Sequence, residues 1–297
     1  MADLPPSTTS STAAADTSAA GAASAMASRG GGAGSPPPRR TGKTAGGLRF
    51  RDELGDFFRF LRHPRFGPRL YGPRHGSGWW ADWFPPLSLW RLLQWAAWLW
   101  FFNLVIWGPL AVVAAGAGGA THRLDLNNVP WLQALLWAPV VEELVFRYGL
   151  RRPGVAWWLV PVSIAIMLTG PKWPALLMLA GVILLCWWPY LSPRAPAWAT
   201  RCWPWRYRVF YRRCFPALFY LASLLFAAVH LYNFKLHQTP WWVLPILVAP
   251  QFATGLVLGW VRIRRGIGAS MLLHCIFNGG PLLVVWIIIR YMPEMVT

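Results

Sequence analysis

Glu142 and Glu143 sit side by side in the apolar stretch Val-Val-Glu-Glu-Leu-Val-Phe-Arg at 140–147, and they are the only acidic residues between positions 126 and 293. An ionised carboxylate in hydrocarbon costs on the order of 3 kcal/mol or more, so such groups face a protein interior or a water-filled cavity and serve a function. Residues four apart on a helix share a face, so Glu143 pairs with Arg147, with the acid on the favourable N-terminal side. Glu142 points about 100° further round and has no cation at i+3 or i+4. The spacing assigns Glu143 and Arg147 to a structural ion pair and leaves Glu142 for chemistry.

Two other apolar stretches carry polar residues, Phe226-Ala-Ala-Val-His230 and His274-Cys-Ile-Phe-Asn278. His274 and Asn278 are four apart and project from one face. With Glu142 these are the parts for amide hydrolysis. A desolvated carboxylate is a better general base toward water. One histidine can hold that water, while the second, with the asparagine amide, donates hydrogen bonds to the oxyanion of a tetrahedral intermediate. Glu142, His230 and His274 could equally hold a divalent metal such as zinc with water in the open position. The residues alone leave both routes open.

These groups need helices to place them, and the chain supplies seven apolar runs, at about 90–116, 130–150, 155–170, 174–191, 214–234, 241–262 and 267–291, long enough or nearly so to cross about 30 Å of hydrocarbon. Cations gather after alternate runs: Arg147, Arg151 and Arg152, then six arginines between 194 and 213, then Arg262, Arg264 and Arg265, against one each (Arg123, Lys172, Lys235) in the other connections. That bias puts the N-terminus in the cytoplasm and the C-terminus outside. At about 1.5 Å per residue, Glu142 and His274 each lie about 13 Å from the arginines of their own helix ends, Arg151 and Arg265, whereas His230 lies about 25 Å from Arg213. For the three to meet, the fifth helix must extend outside the membrane through residues 208–216. Gly255 and Gly259 form a Gly-x-x-x-Gly pair for close helix packing. Gly279, Gly280 and Pro281 are expected to interrupt and bend the last helix.

The composition agrees with an all-α polytopic membrane helix bundle: of 297 residues 56% are hydrophobic and 22 are Trp. The formal charge of +18 does not indicate nucleic acid, because the arginines lie in the N-terminal segment and at the ends of apolar runs with no basic groove motif. Cys186, Cys202, Cys214 and Cys275 have neither Cys-x-x-Cys nor metal-ligand spacing. Residues 1–47, rich in Ser, Ala, Gly and Pro, read as a disordered polar tail with no signal-peptide core. Residues 48–84 read as a basic juxtamembrane segment whose Leu48–Leu61 stretch forms an amphipathic helix, lying in the headgroup region or packed on protein. The remainder, 85–297, is the expected protease domain.

The ordered set Glu-Glu-x-x-x-Arg at 142–147, Phe-x-x-x-His at 226–230 and His-x-x-x-Asn at 274–278 resembles the CPBP intramembrane proteases, which include the type II CAAX prenyl endopeptidases, also called Rce1-like or ABI, over roughly residues 85–291. The resemblance implies that Glu142 and His230 activate water, that His274 and Asn278 form the oxyanion hole, and that Glu143 and Arg147 support them. It further implies about eight membrane helices against the seven counted, an inner-membrane location in a bacterium, a cavity open to the cytosol, and a membrane-associated peptide or lipidated protein as substrate. Members are called metalloproteases, which leaves the metal question as the residues leave it. Two other classes fit the same helices: a non-catalytic scaffold or immunity protein, and an ion-coupled transporter, although no second Glu-Glu or repeated half is present.

Overall fold

The computed structural model describes residues 49–67, 69–70, 80–84, 87–123, 130–191 and 204–291; the polar tail and Cys202 lie outside them. The order is α1 (Phe50–Arg62), α2 (Trp80–Trp83), α3 (Leu89–Phe102), a π turn (Asn103–Trp107), α4 (Gly108–Gly118), β1 (Ala120–His122), a second π turn (Gln133–Trp137), α5 (Ala138–Phe146), α6 (Pro153–Thr169), α7 (Trp173–Leu191), α8 (Trp205–Val229), a 3-10 turn (His230–Asn233), β2 (Phe234–Leu236), α9 (Leu244–Leu247), α10 (Ala249–Arg264) and α11 (Ile267–Tyr291).

Helices stand at all seven apolar runs. Among the described residues three are long and apolar enough to cross a membrane: Leu89–Gly118, Trp205–Asn233 and Ile267–Tyr291. Pro153–Thr169 and Trp173–Trp188 are apolar but shorter. Large apolar side chains such as Val112, Val113, Leu168, Leu177 and Leu283 point outward, a belt too extensive for a water-facing surface and suited to lipid. The fifth helix begins at Trp205, so residues 208–216 are helical as the depth argument requires.

The π turns have a common cause. Pro109 and Pro139 each stand two residues beyond one, and a proline inside a helix lacks the N–H and crowds the preceding turn. Widening that turn by one residue makes room. In the second turn the Ala138 N–H bonds to the Gln133 carbonyl, five residues back. The next carbonyl in that register, Ala134, faces Pro139 and has no intrahelical donor.

The last helix is not interrupted. Helix α11 continues through Pro281 to Tyr291, because the Phe277 carbonyl that Pro281 leaves without a donor accepts a bond of 2.9 Å from the Trp100 indole N–H. Gly280 is where the Trp100 ring lies against α11, leaving no room for a Cβ. The glycines there serve close packing instead of a bend. Gly255 and Gly259 of α10 do the same for α8: a Cβ at Gly259 would stand 2.7 Å from the Phe219 ring.

Helix α1 packs on protein. Its stripe buries Phe57 and Phe60 among Trp95, Phe215, Phe219 and Trp260, and its acids reach inward. Glu53 accepts from Trp95 (3.0 Å) and pairs with Arg265, while Asp56 accepts from Trp260 and Arg264 (both 3.0 Å). From α2, Asp82 pairs with Arg262 and Arg69. Burial would raise the Asp82 carboxyl, but Arg262 and Arg69 outweigh it and hold it below the usual carboxylate range. The arginines at the end of α10 are thus each tied to an acid from residues 49–84. A second core joins α5, α6 and α7 around Val141, Leu144, Tyr148, Leu159 and Ile166.

Candidate active site

Glu143 is fully buried on α5 and meets three partners. Arg147, at the end of the helix, pairs with it as the i,i+4 spacing requires; the Ser270 hydroxyl lies 2.5 Å from Oε2 and His274 Nδ1 3.2 Å from Oε1. The Arg147 guanidinium stacks over the Phe226 ring at 4.0 Å from its centroid, a favourable contact for a desolvated cation. Phe226 also meets the rings of His230 (4.7 Å) and His274 (5.7 Å) edge to face, so one phenyl ring from α8 spaces the ion pair and both histidines.

Glu142 has a different environment. Its side chain is 14% exposed, and Oε2 has no hydrogen-bond partner, standing 3.8 Å from His274 Nε2. It lines a cavity of about 860 Å³ whose walls include Gln133, Met167, His230, Tyr232 and Phe234. His230 caps the end of α8, and its Nδ1 lies 2.8 Å from the Phe226 carbonyl four residues back. A carbonyl only accepts, so Nδ1 carries the hydrogen and the neutral ring keeps an acceptor lone pair on Nε2. Glu142 and His230 therefore face one space, as the helix extension requires.

Asn278 stands four residues beyond His274 on α11. It donates from Nδ2 to the Ala134 carbonyl at 3.0 Å, filling the acceptor that Pro139 leaves empty in the second π turn. With His230 and His274 it lines a smaller cavity of about 50 Å³ that shares His230 with the large one, joined there by Asn103, Gln251 and Thr254. The structure brings Glu142 and His230 together in the large cavity and His230, His274 and Asn278 in the small one, with His274 also linking the two glutamates.

A metal ion does not fit these residues: among the described residues no three His, Cys, Asp or Glu side chains are grouped to hold one.

Sequence reading missed Ser270, Gln133, Asn103, Gln251 and Thr254. Ser270 was findable, since Ser270, His274 and Asn278 form an i, i+4, i+8 stripe. The others break apolar runs as the histidines do.

The large cavity opens among the N-terminal end of α5 (Gln133), the C-terminal end of α6 (Leu168) and the end of α8 (Val229, His230). The arginines sit at the opposite ends of these helices. Under the charge bias the mouth faces away from the cytosol, whereas the resemblance implies a cytosolic opening.

An apolar helical bundle thus encloses a buried Glu–Arg pair, a second glutamate and two histidines. The family model for the type II CAAX prenyl endopeptidase Rce1-like proteins matches residues 125–280, which takes in Glu142, Glu143, Arg147, His230, His274 and Asn278, and the chain belongs to that family. It is an integral membrane protein of a protease family. No curated protein and no solved structure matches it.

Proposed function

We propose that the protein is an intramembrane endopeptidase of about seven membrane helices in which Glu142 and His230 activate water. Glu142 and His230 line one cavity, and Glu142 Oε2 has no hydrogen-bond partner; together these carry this reading. Water held between them donates one hydrogen to Glu142 and the other to His230 Nε2, which turns its oxygen lone pair toward the substrate carbonyl carbon. As the C–O bond forms, Glu142 takes the proton and the carbonyl oxygen becomes an oxyanion. His274, held at Nδ1 by Glu143, is one donor to that oxyanion when its Nε2 carries a hydrogen. The second N–H of the Asn278 amide, the first being held by Ala134, is the other donor. Collapse breaks the C–N bond, and the leaving nitrogen takes the proton from Glu142.

The substrate is a membrane-associated peptide, with a CAAX-type prenylated tail among the candidates. The test is cleavage of a quenched peptide library that includes farnesylated Cys-a-a-X sequences by purified protein. Wild type is expected to cut, and Glu142→Gln to lose about 10²- to 10⁴-fold in rate, the usual worth of a general base. Equal rates for the two would remove Glu142 from the chemistry.

A further inference from the structure

At the arginine-rich end, away from the Glu142 cavity, a separate pocket of about 250 Å³ is lined by Phe66, Arg69, Asp82, Arg151 and Arg152. Behind its wall lies Arg262, fully buried, which pairs with Asp82 and donates from Nε and Nη2 to the carbonyls of Arg147 and Tyr148. Among the described residues one carboxylate, Asp82, thus faces three guanidiniums, being paired with Arg262 and Arg69 and 3.8 Å from Arg152. Among the described residues Arg151 meets no acid within ion-pair distance. It donates to the backbone carbonyls of Gly67 (3.3 Å) and Ile263 (2.5 Å) and lies 5.1 Å over the Phe66 ring. Burial and the neighbouring Arg262 and Arg69 pull its pKa down to about 10. An anion in the pocket relieves that repulsion, which folding alone leaves in place.

We infer that this pocket is a binding site for a phosphate group, held by Arg151 and Arg152 with Arg69 at the rim. Guanidinium forks match phosphate oxygens in pairs, and the volume admits one tetrahedral group with its first waters. Basic pockets between helices at the cytoplasmic end of a bundle are where anionic lipid headgroups bind. A free phosphate offers the same chemistry. This inference is independent of the proteolytic reading, since no pocket residue touches the Glu142 cavity.

The experiment is thermal unfolding of the full-length protein in neutral detergent, titrated in parallel with short-chain phosphatidylglycerol, its phosphatidylcholine counterpart, and inorganic phosphate against chloride at matched ionic strength. The expected result is a rise in unfolding temperature with phosphatidylglycerol above that with phosphatidylcholine, and an apparent affinity roughly tenfold weaker in Arg151→Gln, the loss of one charge-assisted contact. Arg152→Gln repeats the test at the second pocket arginine, should Arg151→Gln fail to fold. A rise with phosphatidylglycerol alone identifies the lipid as the source, and a rise with inorganic phosphate as well identifies a free anion. No rise with either, or a rise that Arg152→Gln retains in full, overturns the site.

Discussion

Adjacent glutamates on one turn of α5 have opposite surroundings, and the difference is measurable. Glu143 is the acceptor for Arg147, Ser270 and His274. Glu143→Gln removes the charge opposite a buried guanidinium, and breaking such a pair costs about 3–5 kcal/mol. Glu142→Gln touches an oxygen with no hydrogen-bond partner, 3.8 Å from His274 Nε2, and is expected to cost much less, about 1 kcal/mol or below. Thermal unfolding of both variants checks this: a clear fall for Glu143→Gln only is expected, and equal falls would mean that the two glutamates share one structural role. The division was legible because i,i+4 pairing is a local rule. The tautomer of His230 was not, since it depends on where α8 ends and which carbonyl that leaves beside the ring.

Prolines shape the elements through the carbonyls they leave unpaired. Pro281 strands the Phe277 carbonyl and Trp100 of α3 fills it; Pro139 strands that of Ala134 and Asn278 of α11 fills it. Trp100→Phe leaves a buried carbonyl without a donor, costing about 1–3 kcal/mol. Pro281→Ala supplies an N–H at the right position, so the loss should shrink in the double variant, and a double-mutant cycle by chemical or thermal unfolding reads that coupling directly. Additive effects would show that Trp100 acts through packing alone. Apolar periodicity located the helices, but the proline was read as a break because its compensating partner lies 177 residues away in sequence. The three-residue strands β1 and β2, paired antiparallel from Ala120↔Leu236 to His122↔Phe234, are too short to give a period-two signal.

At the scale of the molecule, charge and cavity occupy opposite ends. Glu53, Asp56 and Asp82 bind the arginines that close α10, which makes α1 and α2 a clamp on one end of the bundle and selects the protein-packed of the two arrangements expected for α1. No local pattern announced it, because each pair joins positions about 180–210 apart. The Glu142 cavity opens at the other end, beside Arg123 and the β1–β2 pair. If cations mark the cytoplasmic side, Lys235 lies outside and Arg206 inside. Single cysteines at these exposed positions, in a background lacking Cys186, Cys202, Cys214 and Cys275, test it. Lys235→Cys should react with a membrane-impermeant maleimide in intact cells, and Arg206→Cys only after permeabilisation. That outcome directs the site toward peptide segments presented outside the cytosol and away from prenylated tails, which are attached on the cytosolic side. The opposite labelling pattern puts the mouth in the cytosol, restores CAAX-type tails as reachable substrates, and means that the arginines at the ends of α5, α8 and α10 are held there by the acid clamp and the anion pocket against the usual charge rule.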